Sequence, residues 1–213
     1  MVTMTHVNLE LTQLPEADRL ADLAGIESDL KACRAYCQTQ LQREPIKDDF
    51  AAEVRETGAL TIAAFVSYAR CFKDGVRAAT GRELEASLLE ADRGHHKTII
   101  DLRDKFVAHS VNDLERHRLR IWLFPPGSLK AIWGVTIESD QMVTPPSAIF
   151  QTIIALCDKH IAWVETETQN ESQALKAILE DRYSTEQIYA FGRTRAPALN
   201  FKRLDKGRKQ RKR

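Results

Sequence analysis

The sequence predicts a mainly α-helical protein with a β-hairpin inserted after the third helix. Three long stretches carry apolar residues at steps of three and four, the spacing that gives a helix one buried face. Residues 119–138 instead follow a period of two on both sides of a Pro-Pro-Gly-Ser turn, which is typical of a hairpin. Helical periodicity returns after Pro145 and Pro146, so we expect the helices to form one bundle and the hairpin to be an insertion.

The first two helices are predicted from periodicity and from the residues at their ends. The first helix begins at Pro15 and ends near Arg43, before Pro45. Its apolar face is Leu20, Leu23, Ile26, Leu30, Cys33, Cys37 and Leu41. Asp48 or Asp49 can cap the second helix, which we expect to run to about Ala79.

The third helix is predicted over about Arg82 to Ser110, with Gly94 as a point where it can bend. Its proposed face is Leu84, Leu88, Ala91, His95, Ile99, Leu102, Phe106 and His109. After the hairpin, where Met142 is a candidate for a short third strand, a fourth helix carries Ile149, Ile153, Leu156, His160 and Val164. A separate short helix is expected from about Glu171 to Glu180.

Composition indicates one soluble domain. The 213 residues are 43% hydrophobic and 29% charged, and the longest apolar run falls far short of the roughly 20 residues that span a bilayer. Residues 1–14 form a polar lead-in rather than a basic and apolar leader, so we expect a cytoplasmic protein with no membrane partner. The four cysteines contain no CxxC pair and suit buried thiols in a reducing compartment.

Charge separates a C-terminal tail from the rest of the chain. Residues 193–213 carry ten Lys or Arg residues against one acid, a net charge of +9, which leaves −8 on residues 1–192. A tail with so little to bury is predicted to be disordered. Its basic residues, Lys209 and Arg211 among them, are candidates for contacts with RNA phosphates.

The stretch from Ile99 to Ser110 holds the candidate catalytic residues, Arg103, Asp104 and His109. On a helix, Arg103 and His109 lie about 9 Å apart along the axis and about 120° apart around it. One helix can therefore line a groove with both side chains but cannot easily bring them to one atom. A second copy of the chain would complete such a site.

An arginine, a polar residue, a short spacer and a histidine late in a long helix resemble the signature of the HEPN superfamily, and LRDKFVAHS resembles its abortive-infection members. The resemblance implies an antiparallel helical bundle and a metal-independent endoribonuclease that acts as a homodimer, without a cofactor, with RNA as substrate and an antitoxin as partner. It implies that His109 is the general acid or base, that Arg103 stabilises charge on the phosphorane and that Asp104 holds the arginine. Toxin-like members carry a tyrosine two residues after the histidine, and Val111 stands there in this chain.

The aromatic residues of the hairpin have two interpretations. Trp122, Phe124 and Trp133 can stack on RNA bases while Arg118, Arg120 and Lys130 contact phosphates. The same aromatic residues can instead bury one face of the hairpin against the helices, and this packing is the interpretation that we favour.

Other functions stay open at this point. His109 can be a core histidine, in which case the chain is a non-catalytic HEPN-like module that binds RNA or a protein. A third hypothesis is a protein that acts on a membrane or nucleoid through its basic tail. The sequence contains no P-loop, GxGxxG, HExxH or GxSxG motif, and Cys33 and Cys37 lack further ligands at zinc-site spacing, so no metal site is predicted.

Overall fold

A computed structural model describes residues 17–72, 77–105, 115–127, 129–141 and 145–193. These residues are mainly helical and include one two-stranded antiparallel sheet, which confirms the predicted helical class and the hairpin. In chain order the elements are α1 (Asp18–Gln42), α2 (Phe50–Arg70), α3 (Ala78–Ala86), α4 (Glu90–Arg103), β1 (Glu115–Leu123), β2 (Ile132–Gln141), α5 (Ser147–Arg182) and α6 (Thr185–Arg193). None of the helices described combines the length and apolar character that a membrane crossing requires.

Two compact units are present. One takes its described residues from 1–31, 70–88 and 158–213, and the other from 32–69 and 89–157. In the first unit the fully buried side chains include Leu23, Ile26, Leu30, Leu84 and Val164. In the second they include Cys33, Phe65, Tyr68, Ile153 and Leu156.

α1 and the start of α2 follow the prediction, except at Leu41, which was placed on the apolar face but is 36% exposed. Leu23, Ile26, Leu30, Cys33 and Cys37 are all fully buried, as their spacing indicates. The Asp49 carboxylate accepts a hydrogen bond of 2.9 Å from the Ala52 backbone N–H, so Asp49 is the residue that caps α2.

The far end of α2 and the continuous third helix were predicted wrongly. α2 ends at Arg70 rather than near Ala79, and the chain breaks between α3 and α4 at residues 87–89. The Ser87 hydroxyl donates to the Leu84 carbonyl at 2.6 Å, and Leu89 is extended with φ −64° and ψ 149°. Because no Gly or Pro marks the break, the stripe through Leu84 and Leu88 reads as one helix although two are present.

α5 corrects a second prediction. It is one helix of 36 residues from Ser147 to Arg182, so the separate helix expected near Glu171 is part of it. α6 follows and was not predicted. Its signal is a capping box, in which the Gln187 backbone N–H donates to the Ser184 hydroxyl at 3.3 Å and the Ser184 N–H donates to the Gln187 side chain at 2.7 Å.

In the first unit, α3 lies against backbone at a glycine. A Cβ built on Gly81 would lie 2.3 Å from the carbonyl oxygen of Cys71 and 3.3 Å from the Cα of Phe72. Only a residue without a side chain allows this approach. Gly81 therefore sets how closely α3 packs on the segment that follows α2.

The hairpin has two faces of different chemistry. Leu119 pairs with Ile137, Ile121 with Val135, and Leu123 with Ile132, and these six side chains form what we call the aliphatic face. A bulge beside Trp122 and Leu123 leaves Trp133 as the extra residue of β2, next to the Trp122–Gly134 pair. The turn between the strands contains Gly127 at φ +91°, a conformation that favours glycine.

The lead-in 1–14, Met142 and the tail from residue 194 onward lie outside the described residues, so the predictions made for them stay predictions.

Candidate functional site

The end of α4 positions Arg103. The buried side of this helix carries Asp92, His96 and Ile99, and Arg103 follows on the same side one turn later. Helical geometry continues through Asp104, whose φ is −65° and ψ −40°, and whose backbone N–H reaches the carbonyls of Ile100 and Asp101. A cation at this position is favoured by the partial negative charge of the helix C-terminus.

Arg103 is held by its neighbour in sequence. Its Nη1 donates to the Asp104 carboxylate at 2.9 Å, and 30% of the Arg103 side chain is exposed. The Arg103 Nε is buried, and within the described residues it has no hydrogen-bond partner. The guanidinium is therefore held by Asp104 in a partly exposed position, and a phosphate can reach only the part that is open to solvent.

Several predicted site residues lie outside the described structure. His109 is one of them, as are Lys209 and Arg211 of the tail. Arg118 belongs to β1, but its side chain is likewise not described. The structure thus brings together Arg103 and Asp104, and the part of His109 in the site stays a prediction.

The sequence placed His95 on the buried face of the third helix, and this is wrong. His95 is exposed and His96 is buried, because α4 begins anew at Glu90 and its buried stripe runs through Asp92, His96 and Ile99. The His96 Nδ1 lies 3.0 Å from the Tyr68 hydroxyl, and the two rings are 5.7 Å apart.

This histidine–tyrosine pair was missed from the sequence. Tyr68 is fully buried and His96 is 5% exposed, so a substrate cannot touch either ring, and the pair packs α2 against α4 in the second unit. The available signal was the spacing of Asp92, His96 and Ile99, which fits a helix that starts at Glu90.

The aromatic residues of the hairpin do not bury a face against the helices, contrary to the interpretation favoured from the sequence. Trp133 is 67% exposed, Trp122 42% and Phe124 38%. The two tryptophan rings meet edge to face at 6.1 Å, and the Trp122 indole N–H donates to the Thr136 hydroxyl at 3.2 Å. An ordered pair of exposed indoles is a surface on which bases can stack.

Of the predicted phosphate contacts on the hairpin, Arg120 and Lys130 are exposed. Arg120 lies over the Trp122 ring at 5.6 Å and pairs with Glu138 at 2.5 Å. A phosphate that binds Arg120 must therefore compete with the Glu138 carboxylate. Lys130 lies in the turn between the strands. The face formed by Arg120, Trp122 and Trp133 is called the tryptophan face below.

Three thiols form a buried cluster in the second unit. Hydrogen bonds with Cys157 and Cys37, together with burial, raise the pKa of Cys33 well above its ordinary value. All four cysteines are buried thiols that form no disulfide. Across the described ranges, no three His, Cys, Asp or Glu side chains form a group able to hold a metal ion.

A second ionic site has a structural role. The Arg43 guanidinium binds Glu53 and the Thr57 hydroxyl, and the Ile46 backbone N–H donates to Glu53 at 2.8 Å. The Arg43 side chain is the main cause that lowers the pKa of Glu53 to about 2, and the Ile46 N–H adds to it. These bonds tie the loop between α1 and α2 to the first turns of α2.

Comparisons of the chain with protein-family models, with curated proteins and with solved structures found no match.

Proposed function

We propose that the protein is a metal-independent endoribonuclease of the HEPN type, a toxin or phage-defence effector whose active site is shared between two copies. The observation that carries the proposal is Arg103, held by Asp104 at the end of α4 with 30% of its side chain exposed. The His109 that follows six residues later supplies the second functional group that the HEPN signature requires.

The chemistry needs one titrating group and one fixed cation. His109 removes the proton of a ribose 2′-hydroxyl, or donates a proton to the departing 5′-oxygen, as a group that titrates near neutral pH can do. The 2′-oxygen loses its proton and attacks the phosphorus, the bond to the 5′-oxygen breaks, and the departing 5′-oxygen takes up a proton, so that a 2′,3′-cyclic phosphate and a 5′-hydroxyl are formed. The Arg103 guanidinium stabilises the charge that develops on the phosphorane, a contribution of about 3 kcal/mol for one well-placed donor.

Asp104 acts through Arg103. Its 2.9 Å bond to Nη1 fixes the guanidinium on the surface of α4, so that little conformational entropy is lost when a phosphate binds. Replacing Asp104 by asparagine keeps the shape of the side chain and removes its charge. We expect this variant to retain more activity than Arg103→Ala.

The tryptophan face of the hairpin is the proposed platform for single-stranded RNA. Exposed Trp122 and Trp133 offer ring faces to bases, and Lys130, Arg118 and Arg120 supply positive charge along the same strands and turn. The basic tail, through residues such as Lys209 and Arg211, adds affinity for phosphates without selecting a sequence. An antitoxin that covers the site is the proposed protein partner.

The test is an RNA-cleavage assay in the presence of a chelator. The wild type is expected to cleave, and Arg103→Ala and His109→Ala are each expected to lose at least about a hundredfold in rate, the effect of removing one transition-state donor. Matched controls are Arg93→Ala and His95→Ala, an exposed arginine and an exposed histidine of the same helix, which should keep wild-type rates. Unchanged activity in the first two variants, or a metal requirement, would refute the proposal.

A second candidate function is RNA binding without cleavage, and the exposed tryptophan face favours it. Trp133→Ala should then weaken binding of single-stranded RNA by about tenfold, which is within the range for one stacked base. The control is Phe50→Ala, an aromatic residue at the start of α2 that is even more exposed than Trp133. Binding that depends on Trp133, together with no cleavage by the wild type, would favour this function over the nuclease.

A further inference from the structure

The aliphatic face of the hairpin is a continuous set of exposed apolar side chains. Its six side chains form three directly opposed pairs, Leu119 with Ile137, Ile121 with Val135 and Leu123 with Ile132. Each of the six is between 48% and 74% exposed, although aliphatic residues of this size are normally buried. No charged side chain belongs to this set, so the face offers nothing that would attract a polyanion.

A hairpin of this kind needs a covering layer. The sheet has only two strands, and a two-stranded ribbon is at best marginally stable in water unless it packs against something else. Its opposite face is also open, since Trp122 and Trp133 are exposed there. Strands of nine and ten residues therefore depend on an additional contact to keep their pairing.

We propose that the aliphatic face is a self-association surface, which packs against the same face of a second copy of this chain. The six side chains expose on the order of 600 Å² of apolar surface, at the upper limit of what a monomer leaves open and close to the roughly 800 Å² that each partner buries in a stable dimer. A face built from directly opposed Leu, Ile and Val side chains can pack against a copy of itself, as a two-fold interface requires. Two such hairpins stacked face to face form a four-stranded sandwich with a dry aliphatic centre.

The inference rests on the hairpin and not on the proposed ribonuclease. It assigns the two faces of one hairpin to two tasks, with the aliphatic face buried between copies and the tryptophan face left in solvent. The cations Arg120 and Lys130 then stay accessible in the dimer.

The test is the sedimentation behaviour of the full chain. Wild type is expected to dimerise at micromolar concentration. The double variant Ile121→Glu with Val135→Lys places opposite charges on two directly opposed residues, so strand pairing is kept while two charges enter the interface. It is expected to raise the dimer dissociation constant at least about a hundredfold.

The matched control puts the same charge pair on the other face of the sheet. Arg120 and Thr136 are directly opposed one position away, so Arg120→Glu with Thr136→Lys changes the same strands and should leave dimerisation within about threefold of wild type. A milder variant, Ile121→Thr with Val135→Thr, retains branching at Cβ, which favours strands, so we expect the hairpin to stay folded in this variant. It should weaken the dimer about tenfold.

Three results would overturn the inference. The first is a wild type that stays monomeric well above micromolar concentration, a result that would also remove the shared active site of the ribonuclease proposal. The second is a dimer unaffected by either variant of the aliphatic face, which would move the interface elsewhere and leave the ribonuclease proposal standing. The third is a control variant, Arg120→Glu with Thr136→Lys, that raises the dimer dissociation constant as much as Ile121→Glu with Val135→Lys does. A wild type that dimerises through this face but does not cleave RNA would count against the ribonuclease alone.

Discussion

Replacing Gly81 by alanine is a sharp test of the packing of α3. The new Cβ would lie 2.3 Å from the carbonyl oxygen of Cys71, about 0.7 Å inside the 3.0 Å below which real Cβ contacts are essentially absent. Because the obstacle is backbone, no side-chain rotation relieves it and α3 must shift. Overpacking of this kind costs about 1–3 kcal/mol, against which alanine regains about 0.5–1 kcal/mol as the better helix former.

The structure supplies a matched control in Gly94. It lies within α4, and a Cβ there meets nothing within 4 Å, so Gly94→Ala should stabilise the protein by about 0.5–1 kcal/mol. Urea unfolding followed by far-ultraviolet circular dichroism measures both variants. We expect changes of opposite sign, with Gly81→Ala lower by about 1–2 kcal/mol. If Gly81→Ala is as stable as Gly94→Ala, the close approach of α3 to Cys71 is wrong.

Three further perturbations test the described contacts. Folded Glu53 keeps its charge down to about pH 2, and its usual pKa is near 4.5, so the stabilising effect of its carboxylate is complete above pH 4.5 and is lost as the pH falls toward 2. The stability difference between wild type and Glu53→Gln should narrow over that window in acid titrations, and a constant difference would argue against the ion pair with Arg43. Tyr68→Phe leaves the buried His96 without its hydroxyl partner and should cost about 1–3 kcal/mol in urea unfolding, whereas the partly exposed Tyr36→Phe should change stability little. The four buried thiols should resist a thiol reagent in the native protein and react on unfolding, and rapid native labelling would contradict their burial.

The helices that the sequence predicts well are those in which periodicity and end signals agree. In α1, the step of three and four through Leu23, Ile26 and Leu30 coincides with the buried face, and Pro45 follows the end of the helix. At α2, Asp49 is an acceptor of the kind that helix starts favour. The hairpin is predicted equally well from the sequence, because its period of two and its Pro-Gly turn indicate the same structure.

The break between α3 and α4 could not be read from periodicity. Leu84 and Leu88 fit a stripe that continues to Ala91 and His95, and residues 85–90, where the break lies, contain no Gly or Pro. The Ser87 side chain bonds to a carbonyl of the preceding turn, and Leu89 leaves the helical conformation, so the next helix starts in a new phase. Because of this change in phase, His96 lies on the buried side of α4 and His95 does not.

The candidate site was predictable only in part. The contact of Arg103 with Asp104 was expected from the resemblance to the HEPN signature, whereas adjacency alone does not predict it, because neighbouring residues on a helix point about 100° apart. The exposure of Trp122 and Trp133 was not predictable, because aromatic residues in a strand fit a buried face as well as an open one. Which of the two applies depends on the tertiary position of the hairpin, and sequence patterning does not encode that position.

The most direct test of the proposed function is the analysis of product ends after RNA is incubated with the protein and a chelator. We predict fragments that carry 2′,3′-cyclic phosphate, formed by the wild type and by Arg93→Ala but lost in Arg103→Ala. Fragments without a cyclic phosphate, or an undiminished yield from Arg103→Ala, would contradict the claim that the guanidinium at the end of α4 stabilises a transesterification of RNA.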